Sequence, residues 1–429
     1  MNKVLSSLLI VASVSIIQLP ISTDVSAAGA QALSSDKKEK KEKRKTRLVG
    51  PSVGKKMGKA FEAYNLETTD GSNVDNAISM LLDINAKKDY DKAYLEFFIG
   101  KLYAQKADET NSIKYIKQAV VTDLLNEADQ DEGIKLLADL QFQGKQYKNA
   151  IANYHDWMEF TGKSDANIWM KVAQSNLQLK SYDKVISAAD SAIAALGDKK
   201  NKDPYTLKLN AYYERKMFKE CIDVLETAVQ IFPEVKLYWT QLGQFYAMVE
   251  DFPKSLATID LAYKQGYLDK GSQVVMLASL YAQSEMPAKA ASILEKHIDS
   301  GLIKRDDKNI KTLANFLHAS LDISKAASYY GELAKMTNEA KHYSKQGMLL
   351  NQDEQFSKGI VALKKALDIG VKNEGRLFQS IAEAYYYLEK YKQSYAYIQK
   401  AMKEPKSRRT AKGWAVFIKE AADRKKVSI

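Results

Sequence analysis

Residues 237–266 read LYWTQLGQFYAMVEDFPKSLATIDLAYKQG, and this stretch decides the fold. Trp239, Leu242 and Tyr246 stand three and four apart, so a helix places them on one face. Gly243 removes a side chain where a second helix must pass close. A turn at Glu250–Pro253 follows, and a second helix then presents Leu256, Ile259 and Ala262 inward. A single hairpin of this kind cannot bury both of its faces. It needs like neighbours on either side.

Those neighbours recur at about 34–38 residues. Upstream, Tyr205 and Tyr212 open a unit that runs through Phe218, Cys221, Leu225 and Ala228 to Pro233, which stops the second helix. Before it come Trp169, Val172 and Ala173 with Tyr182, Val185, Ala189 and Ala192. Earlier units carry Leu137 and Ala138 with Ala150, Tyr154 and Trp157, and Ile99, Gly100 and Tyr103 with Ser112, Ile116 and Ala119. Downstream the register continues through Ala278 and Ala290, Ala314 and Ala326, Gly347 and Gly359, and Ala382 and Ser394, to Pro405.

Nine helical hairpins between 93 and 405 follow from this spacing. The spacing W-x2-L-G-x2-Y over Trp239–Tyr246 is the opening pattern of a tetratricopeptide (TPR) repeat. The expected fold is therefore all-α, a TPR-like α-solenoid forming a right-handed superhelix. A degenerate hairpin at 53–92 precedes the array. A capping helix at 406–429 closes it, with Trp414 and Phe417 covering the last hairpin. One array overrides the two or three domains that 429 residues would suggest.

The N-terminus reads as a targeting segment. Lys3 precedes an apolar run from Val4 to Leu19, and small residues at Ala27 and Ala30 offer cleavage sites. That run is short for a membrane span, which needs about 20 residues. Residues 1–30 are expected to be a cleaved signal peptide, which gives a periplasmic protein. Residues 31–52 are expected to be a disordered basic linker. Its core, Asp36–Arg47, carries eight basic and three acidic residues of a chain whose net charge is +11. A solvated tail is the plain reading, and contact with anionic lipid the functional one. Export argues against nucleic acid as a partner. Cys221 is the sole cysteine, so no intrachain disulfide forms.

Reactive chemistry is hard to find in this sequence. His155, His297, His318 and His342 are scattered, with no H-E-x-x-H, G-x-S-x-G or G-x-G-x-x-G pattern. Gly50–Lys56 (GPSVGKK) has one residue too few between its glycines for a phosphate loop and lacks Ser or Thr after the first Lys. No enzyme, metal or cofactor is expected. The candidate partner-binding residues lie on first helices, pointing away from the packing face: Gln174, Asn210, Tyr213, Gln244, Gln379, Glu383 and Tyr386. Polar and aromatic groups there suit a groove for a peptide segment.

LVGPSVGKK (48–56), DWMEFTGK (156–163), YYERKMFKE (212–220), YWTQLGQFYAMVEDF (238–252) and DLAYKQGYL (260–268) together resemble the periplasmic TPR proteins associated with the TonB system of gammaproteobacteria. The resemblance implies a scaffold working with TonB, ExbB and ExbD, inner-membrane components that energise outer-membrane import of iron–siderophore complexes. It brings no catalytic residues with it. The alternative is a general envelope-assembly adaptor for outer-membrane protein, polysaccharide or pilus biogenesis.

Overall fold

Each hairpin is set by a pair of positions twelve residues apart. The first helix carries a small residue (leucine in one case) where the second helix crosses it. The second helix carries a small or compact residue in its own first turn. The nine pairs are Gly100/Ser112, Ala138/Ala150, Ala173/Val185, Leu209/Cys221, Gly243/Ser255, Ala278/Ala290, Ala314/Ala326, Gly347/Gly359 and Ala382/Ser394. The approach is close enough to exclude a side chain at Gly243, where a Cβ would lie 2.3 Å from Ile259 Cγ1.

In the computed structural model, which describes residues 44–66 and 72–429, helices make up most of the described residues. No strand occurs among the described residues. The chain divides into two compact units at Pro233/Glu234. In the first, α1 (Pro51–Tyr64) and α2 (Ser72–Leu82) form the degenerate hairpin. Four regular hairpins follow: α3 (Asp89–Gln105) with α4 (Glu109–Val121), α5 (Glu127–Gln143) with α6 (Tyr147–Thr161), α7 (Ala166–Gln178) with α8 (Tyr182–Leu196), and α9 (Asp203–Glu214) with α10 (Phe218–Ile231).

The second unit holds five more. They are α11 (Lys236–Met248) with α12 (Phe252–Lys264), α13 (Gly271–Gln283) with α14 (Pro287–Asp299), and α15 (Asp307–Ala319) with α16 (Ile323–Thr337). Then come α17 (Ala340–Gln352) with α18 (Phe356–Ile369), α19 (Glu374–Tyr387) with α20 (Tyr391–Lys403), and the single α21 (Arg408–Arg424). The architecture is the expected all-α, TPR-like solenoid. The array expected over 93–405 has repeats in both units. Repeat arrays bury only nearest neighbours, so no shared core ties the whole chain together.

Seven residues after the crossing position of each first helix, the backbone turns left-handed. Ala107, Lys145, Lys180, Lys216, Glu250, Glu285, Leu321, Glu354 and Glu389 all have φ between 54° and 63°. The next residue's N–H then bonds the carbonyl five residues back, as in Asp251 N to Tyr246 O at 2.8 Å and Lys390 N to Tyr385 O at 2.9 Å. This is a Schellman closure, which satisfies helix-end carbonyls but favours glycine at the left-handed residue. None of the nine is glycine. In three hairpins the following Asp then caps the second helix: Asp108, Asp251 and Asp322 accept the N–H of Asn111, Lys254 and Lys325.

The core follows the repeats. In the first unit Phe97, Ile116, Leu137, Tyr154, Ile168 and Leu207 are fully buried in one cluster. In the second, Ile259, Leu277, Leu294, Ile310, Leu313 and Leu333 do the same. Burying a side chain of this size contributes at most about 2–3 kcal/mol. Stability therefore accumulates hairpin by hairpin rather than from one centre.

One sequence expectation changes at the N-terminal end. The stretch 31–52, expected to be a disordered linker, includes residues that are fixed. Arg47 donates its N–H to Asn126 Oδ1 at 2.8 Å and accepts from Asn126 Nδ2 at 3.2 Å. Arg44 reaches the carbonyl of Leu125 at 3.1 Å and pairs with Asp123, with its guanidinium 4.8 Å from the Phe160 ring. Gly50 N–H bonds the buried Asp91 at 3.0 Å, and α1 already begins at Pro51. The signal peptide at 1–30 and the basic run through Lys43 lie outside the described residues. At the other end, α21 is held by Ala411, Ala415, Ile418 and Ala422. Trp414, half-buried, and Phe417, 43% exposed, lie against Tyr386 of the last hairpin.

Candidate partner-binding face

The residue immediately after each crossing position stands one step round the first helix from that contact, and in two hairpins it still bonds the second helix, Asp139 through Tyr154 and Asn315 through Tyr330. In chain order this position holds Lys101, Asp139, Gln174, Asn210, Gln244, Ser279, Asn315, Met348 and Glu383. Eight of the nine are polar. All except the exposed Asn315 are half-buried, the environment expected of a groove floor rather than of a solvated surface. Four of the seven residues proposed from sequence, Gln174, Asn210, Gln244 and Glu383, occupy it.

In the first unit, Asn210 and Tyr213 of α9 line a recess of about 500 Å³. Leu177 and Gln178 of α7, Tyr182 of α8, and Lys180 and Glu214 complete it. Gln174 lies one turn before Leu177 on α7. Elsewhere in this unit the same face is closed by ion pairs between neighbouring first helices. Lys101 of α3 meets Glu132 of α5 at 2.6 Å, and Lys171 of α7 meets Asp139 of α5 at 2.7 Å. Asp139 also accepts from the buried Tyr154 hydroxyl at 2.7 Å, and burial with this carboxylate pushes that phenol well above its usual range.

In the second unit, Gln379, Glu383 and Tyr386 do not form the open face expected of them. α21 lies over α19. Thr410 of α21 donates to Gln379 Oε1 at 2.9 Å, and Gln379 donates to Glu383 Oε1 at 2.8 Å. Tyr386 packs its ring 5.8 Å from Trp414 and 5.0 Å from Phe417. Burial raises the Glu383 carboxyl above its usual range, offset in part by the Gln379 hydrogen bond. Gln244 stays half-buried on α11, beside the close approach at Gly243.

Lys171 and Asp139 escape a sequence reading based on helical faces alone, because their pairing joins first helices of neighbouring hairpins. Among the described residues no three His, Cys, Asp or Glu side chains gather as a metal site would require. Cys221 is buried, and desolvation pushes its thiol up to about 12.

No family model and no curated protein matches the chain. Among solved structures it is similar to YrrB, described as a TPR protein with an unusual peptide-binding site, at 18% identity and a TM-score of 0.35. That match covers 43% of this chain and 93% of YrrB. It is similar to the Naa15/Naa10 complex bound to HypK-THB at 13% identity and a TM-score of 0.47, over 82% of this chain and 58% of that one. The C-terminal part of a TPR protein from Cytophaga hutchinsonii matches at 16% identity and a TM-score of 0.37, over 57% of this chain and 98% of that one. What makes this chain TPR-like is its own register of nine hairpins, each with a crossing residue, a left-handed turn and a compact partner residue at constant spacing.

Proposed function

We propose that the chain is a non-enzymatic scaffold that holds partner proteins on the first-helix face of its repeats. The observation that carries this reading is the position after the crossing residue, polar in eight of the nine repeats and half-buried in eight. A surface of that kind recognises protein segments without chemistry of its own.

We further propose that it works in the periplasm as an accessory of a TonB-type complex, supporting outer-membrane import of iron–siderophore complexes. The support is the resemblance of the five stretches quoted above, 48–56 and 260–268 among them, together with the leader-like residues 1–30. Affinity purification of the tagged chain from cells grown under iron limitation is the test. TonB, ExbB or ExbD should co-purify, and a deletion strain should take up siderophore poorly. Absence of all three with normal uptake removes the TonB assignment. Periplasmic fractionation checks the location separately.

A further inference from the structure

At two steps of the second unit, neighbouring second helices are tied together by the same pair of repeat positions. Between α14 and α16, Glu295 accepts the Tyr329 hydroxyl at 2.9 Å and the Lys325 ammonium at 3.2 Å. Between α18 and α20, the Lys364 ammonium stands 5.5 Å from the centre of the Tyr397 ring. Glu295 and Lys364 each lie five residues after the compact residue of their helix, and Tyr329 and Tyr397 each lie three after it. At the step between, from α16 to α18, these two positions hold Gly331 and Ala362. Neither can reach across.

A recess of about 680 Å³ opens at that step. Its floor is apolar and buried, made by Ala327 of α16, Leu350 of α17 and Ala362 of α18. Lys335 of α16 and Lys358 and Lys365 of α18 line it as well, and all three are exposed. Among the described residues no Asp or Glu lines it. Lys358 takes the position in α18 that Lys325 takes in α16, yet the place of the acid that meets Lys325 is held here by Gly331. Lys358 instead bonds Gln355, at the start of its own helix, at 2.8 Å. The nearby ion pairs, Arg305 with Glu332, Lys325 with Glu295 and Lys341 with Glu339, leave the three lysines out.

Val361 lines the same recess and is 68% exposed. It lies two residues after the compact residue, where the other eight regular second helices carry Lys, Ala, Ser or Asp. An exposed aliphatic side chain and three cations around an apolar floor complement a segment that brings carboxylates and an aliphatic residue together.

We propose that the recess between α16 and α18 is a docking site for an acidic segment of a partner protein. An aliphatic side chain of that segment enters over Leu350, and its carboxylates meet Lys335, Lys358 and Lys365. The site is separate from the first-helix face and is tested independently of it. Charge excludes the chain's own basic run at 36–47 as the occupant. A membrane fits poorly, because a side chain reaches the recessed floor and a plane of headgroups does not.

The test is fluorescence anisotropy of a labelled peptide, Glu-Glu-Leu-Glu-Glu in a Gly-Ser frame, against the full chain. Peptides with Gln for Glu or Ala for Leu, and vesicles of one-third anionic lipid, are the comparison probes. The acidic peptide should bind, and bind less well between about 50 mM and about 500 mM salt as exposed charges are screened. Each of the two peptide changes should weaken binding roughly tenfold. Gly331→Glu should abolish it by filling the recess and placing an acid beside Lys358. A Cβ there would lie 2.3 Å from Gln346 Nε2, the movable end of that side chain, so the fold accommodates it. The exposed pair Lys358→Gln, Lys365→Gln should weaken binding roughly tenfold, whereas the same charge change on α21, Lys412→Gln, Lys419→Gln, should leave it unchanged. Equal binding by Gly331→Glu and the wild type overturns the proposal. An equal loss in the α21 variant also overturns it, since net charge alone would then attract the peptide. Binding of vesicles with none of the peptide does the same. Self-association that Gly331→Glu abolishes, without peptide binding, would put a second copy in the recess and overturn it as well.

Discussion

Ser255 donates its hydroxyl to the carbonyl of Gly243 at 2.7 Å, across the closest approach of α11 and α12. The same bond, twelve residues apart, joins Ser112 to Gly100 and Ser394 to Ala382, each at 2.8 Å. The serine is fully buried, so its hydroxyl needs that acceptor, and a small residue at the crossing lets the two helices come within reach. Ser255→Ala should cost about 1 kcal/mol, one net hydrogen bond. Gly243→Ala should cost about 1–3 kcal/mol, because its Cβ collides with Ile259. Urea unfolding of both variants measures this, and a Gly243→Ala midpoint equal to the wild type would show that the helix crossing relaxes freely.

The nine left-handed turns store backbone strain. A non-glycine residue there costs about 1–2 kcal/mol, against which glycine brings roughly 0.5–1 kcal/mol of extra unfolded-state entropy. Glu250→Gly and Lys216→Gly should each stabilise by a few tenths to about 1 kcal/mol. Glu250→Val should destabilise, since a β-branched residue tolerates positive φ least. Thermal unfolding of the three variants separates these signs, and a stabilising valine would refute the strain account.

The strap at 44–50 depends on one side chain more than any other, because Asn126 satisfies both the N–H and the C=O of Arg47. Asn126→Ala should release it. Limited trypsin digestion should then cut after Arg44, Lys45 and Arg47 several-fold faster, while cuts within α3 to α6 stay slow. An unchanged rate at Arg47 would show that the bonds from Arg44 to Asp123 and Leu125 suffice alone.

Glu383 makes the pH prediction. Its carboxyl is raised by burial, so the folded chain binds the proton more tightly than the unfolded chain does. The stability linked to this group is complete below the ordinary carboxyl value and is lost as pH rises through the raised one. Glu383→Gln should therefore raise the unfolding midpoint at about pH 8 and change it little below about pH 4. A gain that persists undiminished in acid would point to packing rather than charge.

Cys221 stands where the serines stand in other hairpins, with its sulfur 3.9 Å from the carbonyl of Leu209. Buried, and with its thiol pushed up to about 12, it should resist iodoacetamide in the native chain and react rapidly once the first unit is unfolded in urea. Modification under native conditions would mean that this hairpin opens locally.

The sequence by itself determined the helical hairpins, their number and their register. Gly243, Ala278 or Ala382 recurs at a fixed distance from its partner on the second helix, and that periodicity is a local property of helix geometry. It also marked the outward position that holds Gln174, Asn210, Gln244 and Glu383. Only the tertiary structure decided what those positions meet. Tyr386 and Gln379 look outward along α19, yet α21 lies on them, because four small or aliphatic residues fit it closely against the last hairpin. The pairing of charges was equally out of reach. Lys171 finds Asp139 and Lys101 finds Glu132, and these pairings depend on which side chains of adjacent first helices face each other, more than thirty residues apart in the chain. Periodicity fixes the face a residue occupies, and packing between repeats fixes its neighbours.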